Sequence, residues 1–365
     1  MIRAIAPLLF ALPALAAAQP RYAAVVDARL AGPDGTRVNG APAYHTIGGA
    51  IAALAPNAAE RQVIFVRNGR YHEKLTVELP RLTLVGESRD STVLTYAAAA
   101  GMPTPTGGTW GTRGSGTLRI IAPDFRAEHL TVENAFDYLG NMRKAKDDRT
   151  KVTNAQAVAL TLDLGSDRAS FEDVKVTGHQ DTLFPNAGRS YFHRSVVTGS
   201  VDFIFGGGVA VFDSCDVVSR DRGSATNNGY ITAASTARAQ PYGFLFVHTR
   251  LSKEVPALAR NSVTLGRPWH PFADRALRPS VVFVDCWMDD HLGARGWDRM
   301  GMTDSTGQRT FAEPEGARFF EYHSRGPGAV PGPNRRVLSD AAAARYTVAA
   351  ALGDWTPPGA SVATR

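Results

Sequence analysis

The chain has 365 residues, 44% of them hydrophobic, 20% charged and 9% aromatic, a globular balance that excludes a disordered or collagen-like protein. Two cysteines exclude a disulfide scaffold and the cysteine-rich zinc modules, and the nine histidines fall in no metal-ligand spacing. A formal net charge of +6 favours an anionic partner: nucleic acid, an anionic membrane or an acidic polysaccharide.

The first eighteen residues narrow that choice. Arg3 supplies a basic start, Ile5 to Leu15 is an apolar run too short to span a bilayer, and Ala16-Ala17-Ala18 before Gln19 fits a signal-peptidase site. Cleavage near Ala18 leaves a mature chain of residues 19–365 with a charge of +5. An exported chain is expected, periplasmic or extracellular, with neither nucleic acid nor a membrane as partner.

A short helix is predicted at Thr46 to Leu54, where apolar residues recur at helical spacing. Beyond it the chain breaks into short β-branched runs separated by Gly, Asn and Asp. Six of these runs begin with phenylalanine (Phe125, Phe171, Phe192, Phe212, Phe246, Phe283) and carry an apolar residue five places on (Leu130, Val176, Val197, Val217, Leu251, Met288). The intervals are 46, 21, 20, 34 and 37 residues, a unit of about 20 with insertions. Such a repeat predicts an all-β solenoid, a parallel β-helix in which the phenylalanines form an internal ladder and the insertions project as loops. A final helix is predicted from Ala341 to Leu352. Met142 to Lys151, dense in both charges, reads as a solvated loop, and Asp285, Asp289 and Asp290 lack the spacing of a calcium site.

Superposing two ladder copies aligns VTGHQDTLF (Val176 to Phe184) with VTGSVDFIF (Val197 to Phe205). Asp181 and Asp202 then occupy one position on successive coils, about 4.8 Å apart at the backbone. Two carboxylates that close cannot ionise independently, so one is expected to hold its proton while the other acts as nucleophile or base. Gln180 lies beside the first acid. Further on, Arg267 is suited to hold an anionic carboxylate bidentately, and Trp269 to present an apolar face to a sugar ring.

These blocks resemble the pectin methylesterase (pectinesterase) family, its bacterial branch in particular, from about Tyr44 to Trp355. GRYHE (Gly69 to Glu73), QAVAL (Gln156 to Leu160), GHQDTLF (Gly178 to Phe184), GSVDFIFG (Gly199 to Gly206) and LGRPW (Leu265 to Trp269) follow in the family's order. FFEYHSRGPGA (Phe319 to Ala329) and DWTP (Asp354 to Pro357) agree near the end, while WGTRGSGT (Trp110 to Thr117) and GYITAAST (Gly229 to Thr236) match the bacterial branch. The resemblance implies a single-domain right-handed parallel β-helix that removes methyl groups from methyl-esterified homogalacturonan, without metal or organic cofactor. It implies Asp202 as nucleophile, Asp181 as general acid and then base, Gln180 and Gln156 as oxyanion donors, and Arg267 as the partner of Asp202. Trp269 and Phe205 would line the sugar groove, with Thr112, Arg222 and Tyr230 as further substrate contacts. The chain departs from relatives at Ser195, where a cysteine can stand, and at Phe184, where many have tyrosine. A monomer is expected.

Other readings of paired acids on a solenoid are an esterase or thioesterase for a different substrate, a polygalacturonase-like glycoside hydrolase, and a silent carbohydrate-binding solenoid. Retaining glycosidases also hold two acids about 5–5.5 Å apart, but an amide beside the acid suits an oxyanion, which a glycosidic transition state lacks. Cys215 and Cys286 share a ladder position with the Phe246 copy between them, so their backbones lie roughly 9.6 Å apart, beyond the span of a disulfide. Titration of the denatured mature chain with a thiol reagent is expected to find both cysteines reduced.

Overall fold

The computed structural model describes residues 22–360; the expected signal peptide lies outside them. The chain winds as a right-handed parallel β-helix with three long sheets of twelve, eight and seven strands, here sheets 1, 2 and 3. Each coil gives one strand to each sheet in turn. One runs through Ala169–Glu172, Lys175–Thr177 and Leu183–Pro185, and the next through Arg189–His193, Val196–Gly199 and Val201–Gly206. Pairing is parallel throughout, apart from the antiparallel Thr36–Val38 with Ala41–Tyr44 and the projecting hairpin of Met300–Thr303 and Arg309–Ala312.

The register is set where sheet 1 turns into sheet 2. One residue there adopts a left-handed conformation in six successive coils: His129, Asp173, Arg194, Ser214, His248 and Asp285 have φ between 46° and 54°. Such a residue swings the chain through a sharp corner, so the strands on either side must start at equivalent positions. Two residues earlier, Phe171, Phe192, Phe212, Phe246 and Phe283 point inward and stack face to face, with neighbouring centroids 4.5 to 4.9 Å apart. One apolar core runs along the axis from Ala24 to Phe319.

Phe125 is an exception to the predicted ladder. It stands four residues before its corner residue, His129, so Ala127 pairs with Phe171 and Val132, not Leu130, pairs with Val176. Phe125 meets Phe171 tilted, at 6.0 Å and 47°. The corner fixes the register, and aromatic spacing follows it only where the corner lies two residues on.

Behind the corner sits a second ladder of small polar side chains. The buried Cys215, Thr249 and Cys286 donate to the carbonyls of Phe192, Phe212 and Phe246 on the preceding coils, at 3.3, 3.0 and 3.6 Å. Ser195 holds the same place one coil earlier, donating to Phe171 at 3.3 Å. Thr249 separates the two thiols and both are free.

The N-terminal helix, Ile47–Ala52, starts at Thr46, whose hydroxyl accepts from the Gly49 amide at 3.0 Å. The predicted C-terminal helix is instead two, Asp340–Ala343 and Val348–Leu352. Thr347 causes the break: its hydroxyl caps a new helix by accepting from Ala350 at 3.1 Å. The second helix covers the outer face of sheet 1 over Val211 and Leu245, and Arg189 holds its last carbonyl, Leu352, at 2.8 Å.

Phe212 lies in mid-stack and is fully buried. Phe212→Ala is expected to destabilise the fold by about 3–5 kcal/mol, through lost burial and an unfilled cavity, measured as a lowered denaturation midpoint with an unchanged slope.

Candidate active site

The conserved geometry of the coils carries through to the corner between sheets 2 and 3, where both aspartates sit. Asp181 belongs to the turn before Leu183–Pro185, and Asp202 is the second residue of Val201–Gly206. Gln180 bridges to Val201, Leu183 pairs with Ile204, and the Asp181 amide donates to the Val201 carbonyl at 3.0 Å. The two acids therefore stand on adjacent coils in one register. Both have positive φ, 60° and 49°, a conformation aspartate tolerates at some cost and one that turns its carboxylate out of the ladder. Gly229 on the following coil passes so close beneath Ser200 that a Cβ would lie 1.7 Å from its carbonyl oxygen, so only glycine permits this stacking.

Asp202 is buried, and Arg267, 65 residues on, reaches it with two parallel hydrogen bonds, Nε to Oδ1 at 2.9 Å and Nη2 to Oδ2 at 2.6 Å. Burial pushes the Asp202 carboxyl above its ordinary range and Arg267 pulls it back. Asp181, equally buried but with no cation in contact, is raised well above the ordinary carboxylate range, first by desolvation and then by the charge of Asp202. The pair is thus divided: the acid beside Arg267 holds the anion and the other holds the proton. His179, next to Gln180, stacks on Tyr138 at 5.2 Å; burial lowers its pKa to about 3, so it stays neutral.

Ala157 donates to the Gln180 carbonyl at 3.1 Å, which places Gln156 one coil before Gln180. Its Oε1 is buried with no partner among the described residues. Gln180, Val201, Arg222 and Tyr230 line a cavity of about 510 Å³, closed on its other side by the helix Tyr138–Arg143 and the chain through Lys146 and Lys151. The expected solvated loop at Met142 to Lys151 is largely exposed, and its Met142, Lys146 and Lys151 also line this cavity. Its charges gave no sign of this, because local composition cannot tell a lysine facing water from one facing a groove.

Next to the acids, Phe184 and Phe205 stack at 4.2 Å and 7°, and Trp269 packs on them at 6.2 and 5.6 Å. Phe205 is buried and Trp269 partly open, so Trp269 is the exposed face of the cluster. Phe184 is buried within the stack, so the departure from tyrosine falls there. Thr112 lies in the short helix Gly111–Gly114, and its neighbour Arg113 reaches the aromatic cluster, 5.9 Å from the Phe184 ring and 3.1 Å from Asp163. Arg119, which pairs with Asp163 at 2.7 Å, and Asp163 lie outside the sequence motifs, while Arg113 lies within WGTRGSGT without standing out there. Arg222 bonds the carbonyls of Asn227 and Asn228 in its own loop, and the Tyr230 ring lies 4.0 Å from the Arg267 guanidinium.

A carboxylate pair with split protonation beside free amides, on the outside of a parallel β-helix, is the equipment of a hydrolase. The pectinesterase family model matches residues 36–354. The chain is 42% identical to pectinesterase A of Dickeya chrysanthemi over 325 residues, covering 86% of this chain and 88% of that one. It superposes with a TM-score of 0.87 and 42% identity on the crystal structure of a pectin methylesterase in complex with a hexasaccharide, covering 93% and 99% of the two chains. The pectin methylesterase of Yersinia enterocolitica follows with a TM-score of 0.83, 44% identity and coverage of 86% and 100%. The chain belongs to the pectinesterase family and is a carboxylic ester hydrolase that demethylates pectin.

Removal of the cation is expected to expose the cost of burying Asp202. Arg267→Ala leaves that carboxylate unpaired and is expected to lower stability by about 3 kcal/mol at neutral pH. The folded-state pKa of Asp202, already above its unfolded value, rises further without Arg267, so the variant loses more stability than the wild type as pH rises through it and recovers as pH falls. Denaturation of both proteins across the acid range reads the difference.

Proposed function

We propose that Asp202 is the nucleophile and Asp181 the proton donor for hydrolysis of the C6 methyl ester of galacturonosyl residues in homogalacturonan. The observation that carries this is the two-point contact of Arg267 with Asp202, beside an Asp181 that has no such partner. The Asp202 carboxylate adds to the ester carbonyl, and the negative charge that develops on its oxygen is met by the amides of Gln180 and Gln156. The tetrahedral centre collapses with loss of the methoxy group, which takes the proton of Asp181 and leaves as methanol. Asp202 is then joined to the uronyl carbon as an anhydride. Asp181, now a carboxylate, draws a proton from water as its oxygen adds to that carbon; cleavage of the acyl bond frees Asp202 and the new uronic acid, which gives the second water proton to solvent as it becomes uronate, and Asp181 has its proton back. Every proton and electron pair is supplied by these residues, the substrate and water, so no step requires a cofactor.

Trp269, backed by Phe205, is the platform for a sugar ring, and Arg222, Tyr230 and Thr112 are further contacts to the polysaccharide. A hexasaccharide bound to a protein of the same fold supports an extended substrate here. The mature enzyme acts as a monomer after export and cleavage near Ala18.

The purified mature chain is expected to release methanol from highly methylated pectin without creating reducing ends. Asp202→Ala is expected to lose about 10³-fold or more of that rate, and reducing ends from the wild type would instead indicate a glycosidase. Because attack needs Asp202 ionised and departure of methanol needs Asp181 protonated, kcat/KM is expected to follow a bell in pH. Its acid limb reports Asp202 and its alkaline limb Asp181. Asp181→Asn, which cannot donate that proton, is expected to abolish the alkaline limb together with most of the rate.

A further inference from the structure

We propose that Tyr230 is a positioning residue: its ring clamps the Arg267 guanidinium in the orientation that keeps Asp202 ionised. This rests on the assignment of Asp202 as nucleophile. Two parallel hydrogen bonds form only when guanidinium and carboxylate share a plane, and an arginine side chain free to rotate leaves that plane readily. Among the described residues, the Arg267 side chain makes no other hydrogen bond than the two to Asp202. The remaining restraint is the Tyr230 ring, 4.0 Å from the guanidinium carbon, which covers one face of the cation in a partly desolvated setting where such contacts are strongest.

Tyr230 is itself tied down at both ends. Its backbone lies in Gly229–Ala234, paired with Val201 on one side and Thr264 on the other. Its hydroxyl accepts from the Asn227 amide at 2.8 Å and points at the Asp298 carboxylate, 3.4 Å away. A phenol that donates toward a carboxylate has a more electron-rich ring and holds a cation better. Asp298 is fixed by Arg295 at 2.9 Å, and its amide donates to the carbonyl of Gly266, the residue before Arg267, at 3.0 Å. The clamp thus closes on the same short stretch of chain that presents the arginine.

The charges around Asp202 are Asp181 on the preceding coil, Arg222 from its loop, and Arg267. Only Arg267 is in contact with it, so the ionisation of Asp202 depends chiefly on how Arg267 is held. Substrate contact alone would give Tyr230 a different signature, since loss of a contact made equally in ground and transition states raises KM and leaves kcat and its pH limits in place.

The experiment compares kcat against pH for wild type, Tyr230→Leu and Tyr230→Phe on methylated pectin. In Tyr230→Leu, kcat is expected to fall about tenfold or more near neutrality and the acid limb to move up by about half a pH unit or more, because Asp202 gains its proton sooner. Tyr230→Phe keeps the ring and is expected to restore the acid limb and most of the lost kcat. A Tyr230→Leu enzyme that changes only in KM, or a Phe variant as damaged as the Leu variant, overturns the clamp. If Tyr230→Leu does not fold, Tyr230→Met, which fills similar space without a ring face, is expected to move the acid limb the same way, and an unmoved limb overturns the proposal. The titration of the Asp202 carboxyl carbon, followed by NMR in Asp-labelled protein, reads the same shift without turnover. A wild type that releases no methanol defeats the assigned chemistry; a wild type that does, with an unmoved Asp202 titration in the Leu variant, defeats only the clamp.

Discussion

The site and the core around it depend on the corner where, from His129 onward, a single left-handed residue in each coil brings sheet 1 into sheet 2. Because His129, Asp173, Arg194, Ser214, His248 and Asp285 share that conformation, successive coils lie in one register at the ladder spacing of about 4.8 Å. The stack of phenylalanines in front of the corner and the row of Ser195, Cys215, Thr249 and Cys286 behind it are two consequences. The first buries large apolar area, and the second adds side-chain donors to carbonyls at the turn.

The paired acids are a third consequence. A solenoid places residues one coil apart in sequence at van der Waals range in space, which is the means by which two carboxylates are forced to share a site. The arrangement costs burial of both and positive φ at both. It is offset at Asp202 by Arg267 and at Asp181 by retention of the proton. The acid chemistry therefore arises from asymmetry imposed on a symmetric repeat: the fold supplies two equivalent positions and one guanidinium makes them unequal.

The loops that interrupt the repeat supply what the coils cannot. Arg267 and Trp269 follow the strand Val263–Gly266, Arg222 belongs to the loop before Gly229–Ala234, and the helix Tyr138–Arg143 with the lysines beyond it closes the cavity. These segments lie outside the repeating strands, so the β-helix remains regular while the cavity acquires its walls.

Periodicity alone revealed the solenoid, and the alignment of Asp181 with Asp202 was legible because their coils are consecutive and uninterrupted. The same reasoning separated Cys215 from Cys286. It failed at Phe125, since aromatic spacing only reports register when the corner lies at a constant distance, and at Ala341 to Leu352, where Thr347 competes as a cap. Arg267 was recognised by its motif and not by its place, because two insertions hide the coil count between it and Asp202. What only the tertiary structure decided is which side chains meet across those insertions, Arg267 with Asp202, Tyr230 with Arg267 and Arg113 with Phe184, and which loop shares a cavity with Gln180. The physical reason is that short-range pattern governs how a coil stacks on its neighbour, whereas the path of a loop is chosen by contacts made tens of residues away.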